Sequence, residues 1–183
     1  MIPSWLQELA RGRNVLFALV VWLGFWVLLF QFTSYPTLQA ANNNQSLLEE
    51  RFGYTADEAK QQMQALGEWR TSYRNFQILD YINALLMGFA LTLALTFTLM
   101  RLFGPGNPIR LLAFLPIAAI VGEFAENTLL IALTSSYPDI SSGLVGVASA
   151  ATSLKLGIGM ITLPLTALSF LALGAKSLFT RRS

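Results

Sequence analysis

Four long apolar stretches run along the chain, separated by shorter polar segments. About 20 apolar residues in a helix cross the hydrocarbon core of a bilayer. The pattern predicts membrane spans at about 15–32, 76–102, 109–134 and 144–173. The first stretch is longer than the apolar core of a signal peptide, and no good cleavage site follows it, so we expect it to be retained. The predicted fold is all-α, a four-helix transmembrane bundle in a single domain, 1–183.

Two segments outside the spans carry helix signals. At the N terminus, Ser4 with Gln7 forms a capping pattern ahead of apolar residues. This segment is interpreted either as a short interfacial helix or as the start of the first span. In the loop 33–75, a Ser or Thr precedes a Glu by three residues at two places: Ser46 with Glu49, and Thr55 with Glu58. The loop therefore predicts a helical cap, too small to form an independent core.

Composition narrows the functional class. Hydrophobic residues make up 54% of the chain and charged residues only 12%, whereas about 25% is usual for soluble domains. The net charge of +2 is dispersed over span ends, which does not favour nucleic-acid binding. There is no cysteine and no histidine. Their absence excludes thiol chemistry, metal sites built on Cys or His, and a histidine general base. No cofactor is predicted.

Basic residues near the span ends predict the orientation. Arg and Lys precede the first span, flank the turn between the second and third spans, and follow the fourth span. These residues are Arg11, Arg13, Arg101, Arg110, Lys176, Arg181 and Arg182. We expect both termini to be cytoplasmic and the loop 33–75 to be outside. The expected location is a bacterial inner membrane.

The third and fourth spans carry charged residues at predicted membrane depth. Glu123, Glu126 and Asn127 are spaced by three and four residues, which places them on one helix face. Counting 1.5 Å per residue from the outer ends, Glu123 and Lys155 both lie about 16 Å deep. Opposite charges at one depth on consecutive antiparallel helices predict an ion pair or a shared hydrogen-bond network. An ionisable group at this depth is costly and marks a functional site or a structural lock.

A polar stripe enters the second span from the outside. Its residues follow a helical period and comprise Arg70, Tyr73, Arg74, Gln77 and Asp80. The stripe is predicted to form the mouth of a pocket whose floor is Glu123, Glu126, Asn127 and Lys155. Ser153, on a small-residue face of the fourth span, completes the predicted ligand-binding set. The alternative is interfacial anchoring with local pairing of Arg74 and Asp80.

The catalytic residues, if there are any, are not predicted, and the candidates are Glu123, Glu126 and Lys155. A metal site of carboxylates and Asn127 is chemically conceivable. Lys155 nearby argues against it, so no metal is predicted.

Several short motifs occur in one part of the chain: Gly53-Tyr54, Leu66-Gly67, then Arg70, Tyr73, Gln77 and Asp80, and finally Pro116 and Glu126-Asn127. With these motifs the chain resembles a group of small, mostly bacterial four-span membrane proteins of unassigned activity. The resemblance covers roughly residues 50–135. It implies an extracytoplasmic helical segment before the second span and directs attention to Arg70, Tyr73, Asp80, Glu126 and Asn127. It implies no substrate.

Three hypotheses on function follow. The first is an intramembrane pocket, open to the extracytoplasmic side, that binds a small or lipid-like ligand. The second is a membrane-embedded acid/base enzyme, of isomerase or lyase type, with a glutamate acid or base and Lys155 stabilising negative charge. The third is an accessory subunit of a membrane complex. The expected partners are the lipid bilayer, a lipid or small-molecule ligand, and either another membrane protein or a second copy of the chain.

Overall fold

The computed structural model describes residues 2–180. The structure is 84% helical, and no strand occurs in that range. Seven α-helices follow one another: α1 (Ser4–Leu9), α2 (Gly12–Phe32), α3 (Tyr35–Ala41), α4 (Ala56–Leu66), α5 (Arg70–Leu102), α6 (Leu115–Ser135) and α7 (Ser142–Thr180). Short 3₁₀ helices occupy Leu48–Glu50, Gly67–Trp69 and Pro108–Phe114.

Four helices are long and apolar enough to cross a membrane, and they include the four predicted spans. They are Gly12–Phe32, Ala56–Leu102, Pro108–Ser135 and Ser142–Phe179. The helix α5 is central, because it packs against α2, α6 and α7. The helix α6 also packs along α7, whereas α2 has no comparable contact with α7. A cleft therefore remains between α2 and α7, and it leads toward α5.

Small residues bring α6 close to both of its neighbours. A Cβ built on Gly88 of α5 would lie 2.2 Å from the side chain of Ile120 and 3.3 Å from the carbonyl oxygen of Pro116. A Cβ built on Gly122 of α6 would lie 3.5 Å from the Cα of Lys155. This close approach brings the α6 carboxylates within reach of the Lys155 side chain on α7.

Each end of the four long helices has its own apolar core. At one end, Ile2 and Leu6 of the N-terminal segment pack with Leu93 and Leu99 of α5. At the other end, residues 33–75 cover the helix ends with buried side chains. This second core contains Leu29, Tyr35, Leu38, Leu47, Leu48, Met63, Leu66, Phe76, Leu130 and Val145. Burial of this many large side chains fixes the part of this segment that precedes α5, residues 33–69, which we call the cap, on α5, α6 and α7.

The structure of the cap differs from its prediction at the start of one helix. The pair Thr55 and Glu58 forms the predicted capping box of α4, with Thr55 N–H donating to the Glu58 carboxylate at 2.7 Å. Ser46 caps no helix, however. The 3₁₀ helix begins after Leu47, whose N–H donates to Glu50 at 2.9 Å, while the Ser46 carbonyl accepts from Arg51. The predicted start at Ser46 is wrong because the Glu49 side chain is buried and accepts a hydrogen bond from Tyr73, instead of bonding back to the start of its own helix.

One further local prediction is corrected, the start of the N-terminal helix. The N-terminal helix α1 is separate from α2, but Pro3 is its N-cap residue, and the Gln7 side chain donates to the Ile2 carbonyl at 2.7 Å. The proline at the start of the third span, Pro116, does not kink the helix. Pro116 lies in the first turn of α6, where its missing N–H costs nothing, and a 3₁₀ helix precedes it.

Candidate functional site

The predicted ion pair between α6 and α7 is present. The Lys155 ammonium lies 3.4 Å from Glu123 Oε2 and 2.5 Å from Glu126 Oε2. Only 11% of the Lys155 side chain is exposed, against 14% for Glu123 and none for Glu126. Since Glu123 and Glu126 are three residues apart on α6, one ammonium reaches both carboxylates. These three side chains form a buried charged group with two acids and one base.

Lys155 also ties this group to the cap. Its ammonium donates to the backbone carbonyl of Glu49 at 3.1 Å, across 106 residues of sequence. The Glu49 carboxylate accepts from the hydroxyl of Tyr73 at 2.5 Å. Burial is the largest effect on Glu49 and raises the pKa of its carboxyl to about 8, against the lowering influence of Tyr73. The cap thus adds a third acidic residue, Glu49, beside Lys155; the sequence had indicated Glu49 only as part of a helix cap.

Asp80 of α5 is held by two side-chain amides. Asn83 Nδ2 donates to Asp80 Oδ1 at 2.9 Å, and Asn127 Nδ2 donates to Asp80 Oδ2 at 3.1 Å. The amide oxygens of both asparagines are buried and have no hydrogen-bond partner. The alternative pairing of Asp80 with Arg74 is wrong, because the ion pairs within residues 2–180 all belong to Lys155. Arg74 and Asp80 are six positions apart, which places them about 9 Å apart along α5 and at opposite edges of the polar stripe.

A cavity of about 210 Å³ brings these groups together with aromatic side chains. It lies between α2, α5, α7 and the cap. The walls are lined by Trp22, Trp26 and Phe30 of α2, Glu49 and Glu50 of the cap, Phe76, Asp80, Asn83 and Met87 of α5, Glu123 of α6, and Lys155 and Leu163 of α7. Because α2 and α7 are apart here, the cavity lies beside the cleft between those two helices. Trp26 is 42% exposed at this position.

A second, apolar cavity of about 450 Å³ adjoins the first. The two share Met87, Glu123, Lys155 and Leu163. The rest of the second cavity is lined by α5, α6 and α7: Leu91, Ala119, Leu156, Gly159, Met160, Thr162 and Pro164. The ion pair therefore stands at the junction of a polar chamber and an apolar one.

Several residues of the predicted binding set lie elsewhere. Arg70 donates to the Met63 carbonyl at 2.9 Å and lies 4.5 Å from the ring of Tyr137, so it holds α5 to the cap. Gln77 is fully buried, and neither atom of its amide has a hydrogen-bond partner within the described chain. Ser153 donates to the Ser149 carbonyl at 2.9 Å and lies beside Gly53 of the cap.

Most of the residues predicted for the mouth of the pocket therefore do not line the polar cavity. Of the stripe on α5, only Asp80 lines the polar cavity, while Tyr73 reaches it through Glu49. Glu123 and Lys155 line the cavity, and Glu126 and Asn127 lie directly behind it, in contact with Lys155 and Asp80. The aromatic wall of α2, Trp22 and Trp26, was missed, because an apolar span contains no periodic signal that distinguishes a cavity wall from a lipid-facing surface.

No protein-family model, no curated protein and no solved structure matches the chain. The structure itself defines an all-helical chain with four helices able to span a membrane.

Proposed function

We propose that the protein is an integral membrane protein that binds a small amphiphilic ligand in the two adjoining cavities. The observation that carries the proposal is the junction at Lys155 and Glu123, where a polar chamber meets an apolar one. A ligand with one polar end and one apolar end would satisfy both chambers. Their volumes, about 210 and 450 Å³, suit a small molecule.

The proposed path for the ligand is the cleft between α2 and α7. The cleft is supported by the absence of close packing between these helices and by the exposure of Trp26. A ligand dissolved in the bilayer would move sideways through this cleft, with its polar end toward the cap. In this proposal the four long helices form a membrane bundle of a bacterial inner membrane, both termini are cytoplasmic, and the cap lies outside.

A blocking substitution at the junction tests the proposal. Leu163 lines both cavities, so Leu163→Trp would fill the space between them. Leu171→Trp, on the same helix at a position 70% exposed, is the matched control. Native mass spectrometry of the protein purified from its own membrane should show a retained molecule with the wild type and with Leu171→Trp, and none with Leu163→Trp. Equal retention by all three proteins would refute the cavity as the binding site.

Acid/base catalysis in the same cavity is a second candidate function. It is favoured by the arrangement of Glu123 and Glu126 around one ammonium, because such a group can hold and pass on a proton beside a bound substrate. For an enzyme, Glu126→Gln should leave ligand retention intact and abolish conversion of the retained molecule. If the retained molecule is recovered unchanged from the wild type after prolonged incubation, binding alone is supported.

A further inference from the structure

The charge of the polar cavity is unbalanced. Four acidic side chains line it, Glu49, Glu50, Asp80 and Glu123, and Lys155 is the single basic side chain among the lining residues. Glu126 adds a further carboxylate behind Lys155. Tyr35 and the Leu47 N–H satisfy Glu50, and Tyr73 donates to Glu49. Lys155 offsets only part of the charge of the two α6 glutamates, and Asp80 has no ion-pair partner within residues 2–180, so Asp80 is the acid left for a cationic ligand.

Unpartnered acceptors occur beside this charge. Asn83 is 7% exposed and lines the cavity, and its amide oxygen has no donor. The Asn127 amide oxygen is fully buried and also has no donor. Rotating either amide would place its oxygen against the Asp80 carboxylate, so both oxygens must stay where they are. A buried acceptor without a donor costs free energy, and an N–H group on a ligand would remove that cost.

The aromatic wall of the polar cavity also favours a cationic ligand. Trp22 and Trp26 of α2 line the same cavity. The face of an indole ring attracts ammonium groups, most strongly where water is excluded. The indole N–H of Trp22 belongs to the same wall and is buried without a hydrogen-bond partner.

We infer, on the basis of the proposed function, that the polar end of the ligand is an ammonium group carried on an apolar chain. The ligand has no phosphate, because Lys155 is the single basic side chain of the lining and is already paired with Glu123 and Glu126. The ammonium would lie between Asp80, the Asn83 amide oxygen and the two tryptophans, and the chain would extend past Leu163 into the apolar cavity. A metal ion fits less well. The ammonium of Lys155 already lies between Glu123 and Glu126, and within residues 2–180 no group of three acidic residues could hold a metal ion.

The test uses three probes with the same chain, brominated at mid-chain so that the bromine stays near the two indoles when the polar end is bound: 6-bromododecylamine, 6-bromododecanol and 6-bromododecanoate. Each is added at equal mole fraction in the bilayer to the protein in phosphatidylcholine nanodiscs, and tryptophan fluorescence is measured. Bromine quenches nearby indoles, so a bound probe reports on Trp22 and Trp26. The double variant Trp22→Phe/Trp26→Phe retains Trp5 and Trp69 and provides the background.

We expect the amine to bind at least about tenfold more tightly than the alcohol, and the carboxylate to bind most weakly. Asp80→Asn should weaken amine binding about tenfold and leave alcohol binding unchanged. Equal affinity for the three probes would overturn the ammonium inference and leave the amphiphile cavity intact. Quenching no greater than that of the double variant with any probe would overturn the proposed function itself. Competition by phosphatidylethanolamine would overturn the exclusion of phosphate.

Discussion

Removing the Lys155 ammonium should strongly destabilise the protein. In Lys155→Met, Glu126 loses a partner at 2.5 Å and Glu123 loses one at 3.4 Å, and both carboxylates remain buried. The Glu49 carbonyl loses a donor at 3.1 Å as well. Breaking a buried ion pair by removing one partner costs about 3–5 kcal/mol. We expect a loss of that size in the free energy of unfolding.

A double-substitution cycle in detergent micelles measures this coupling. Equilibrium unfolding is followed by circular dichroism for Lys155→Met, Glu126→Gln and the pair together. The pair should cost less than the sum of the single substitutions, by roughly 1–3 kcal/mol, because neutralising both partners leaves no unpaired charge between them. Lys60→Met, at an exposed position of the cap, is the control and should unfold like the wild type. If Lys155→Met were as stable as Lys60→Met, the ion pair would contribute nothing to the fold.

Three other predictions follow from single positions. The pKa of the Glu49 carboxyl is raised from 4.5 to about 8 in the folded protein, so the folded state holds this proton more tightly than the unfolded state does. As the pH rises from about 4.5 to 8, the thermal stability of the wild type should therefore fall relative to that of Glu49→Gln. Parallel pH profiles for the two proteins would contradict this. Gly88→Val should destabilise by about 1–3 kcal/mol through a clash with Ile120, whereas Gly24→Val, in open space, should not; equal unfolding midpoints would refute the close contact. In intact cells, Asp57→Cys should react with an impermeant maleimide, and labelling only after permeabilisation would reverse the proposed orientation.

The four long apolar helices and the ion pair could be predicted from sequence because both depend on local regularities. Apolar length indicates a helix long enough to span a membrane, and a rise of 1.5 Å per residue brings Glu123 and Lys155 to the same level on neighbouring helices. The contact between Lys155 and the Glu49 carbonyl could not be predicted, since it joins residues 106 apart through the path of the cap.

The polar stripe on α5 shows the same distinction. Its helical spacing is real, but spacing does not say which neighbour each residue meets. Arg70 meets the cap and Tyr137, and Asp80 meets two asparagines, one of them on α6. Which of these residues lines a cavity depends on the position of α2. The sequence of α2 is evenly apolar and does not show which helices it packs against.

Chemical access to Met87 tests the central claim most directly, because this residue lines both cavities. The chain has no cysteine, so Met87→Cys introduces a single thiol. Ala90→Cys, on the same helix at a fully buried position, is the control. A small amine-bearing methanethiosulfonate should modify position 87 rapidly, its sulfonate counterpart should modify it slowly, and neither should modify position 90. Protection of both positions from both reagents would show that no open, acidic cavity exists there.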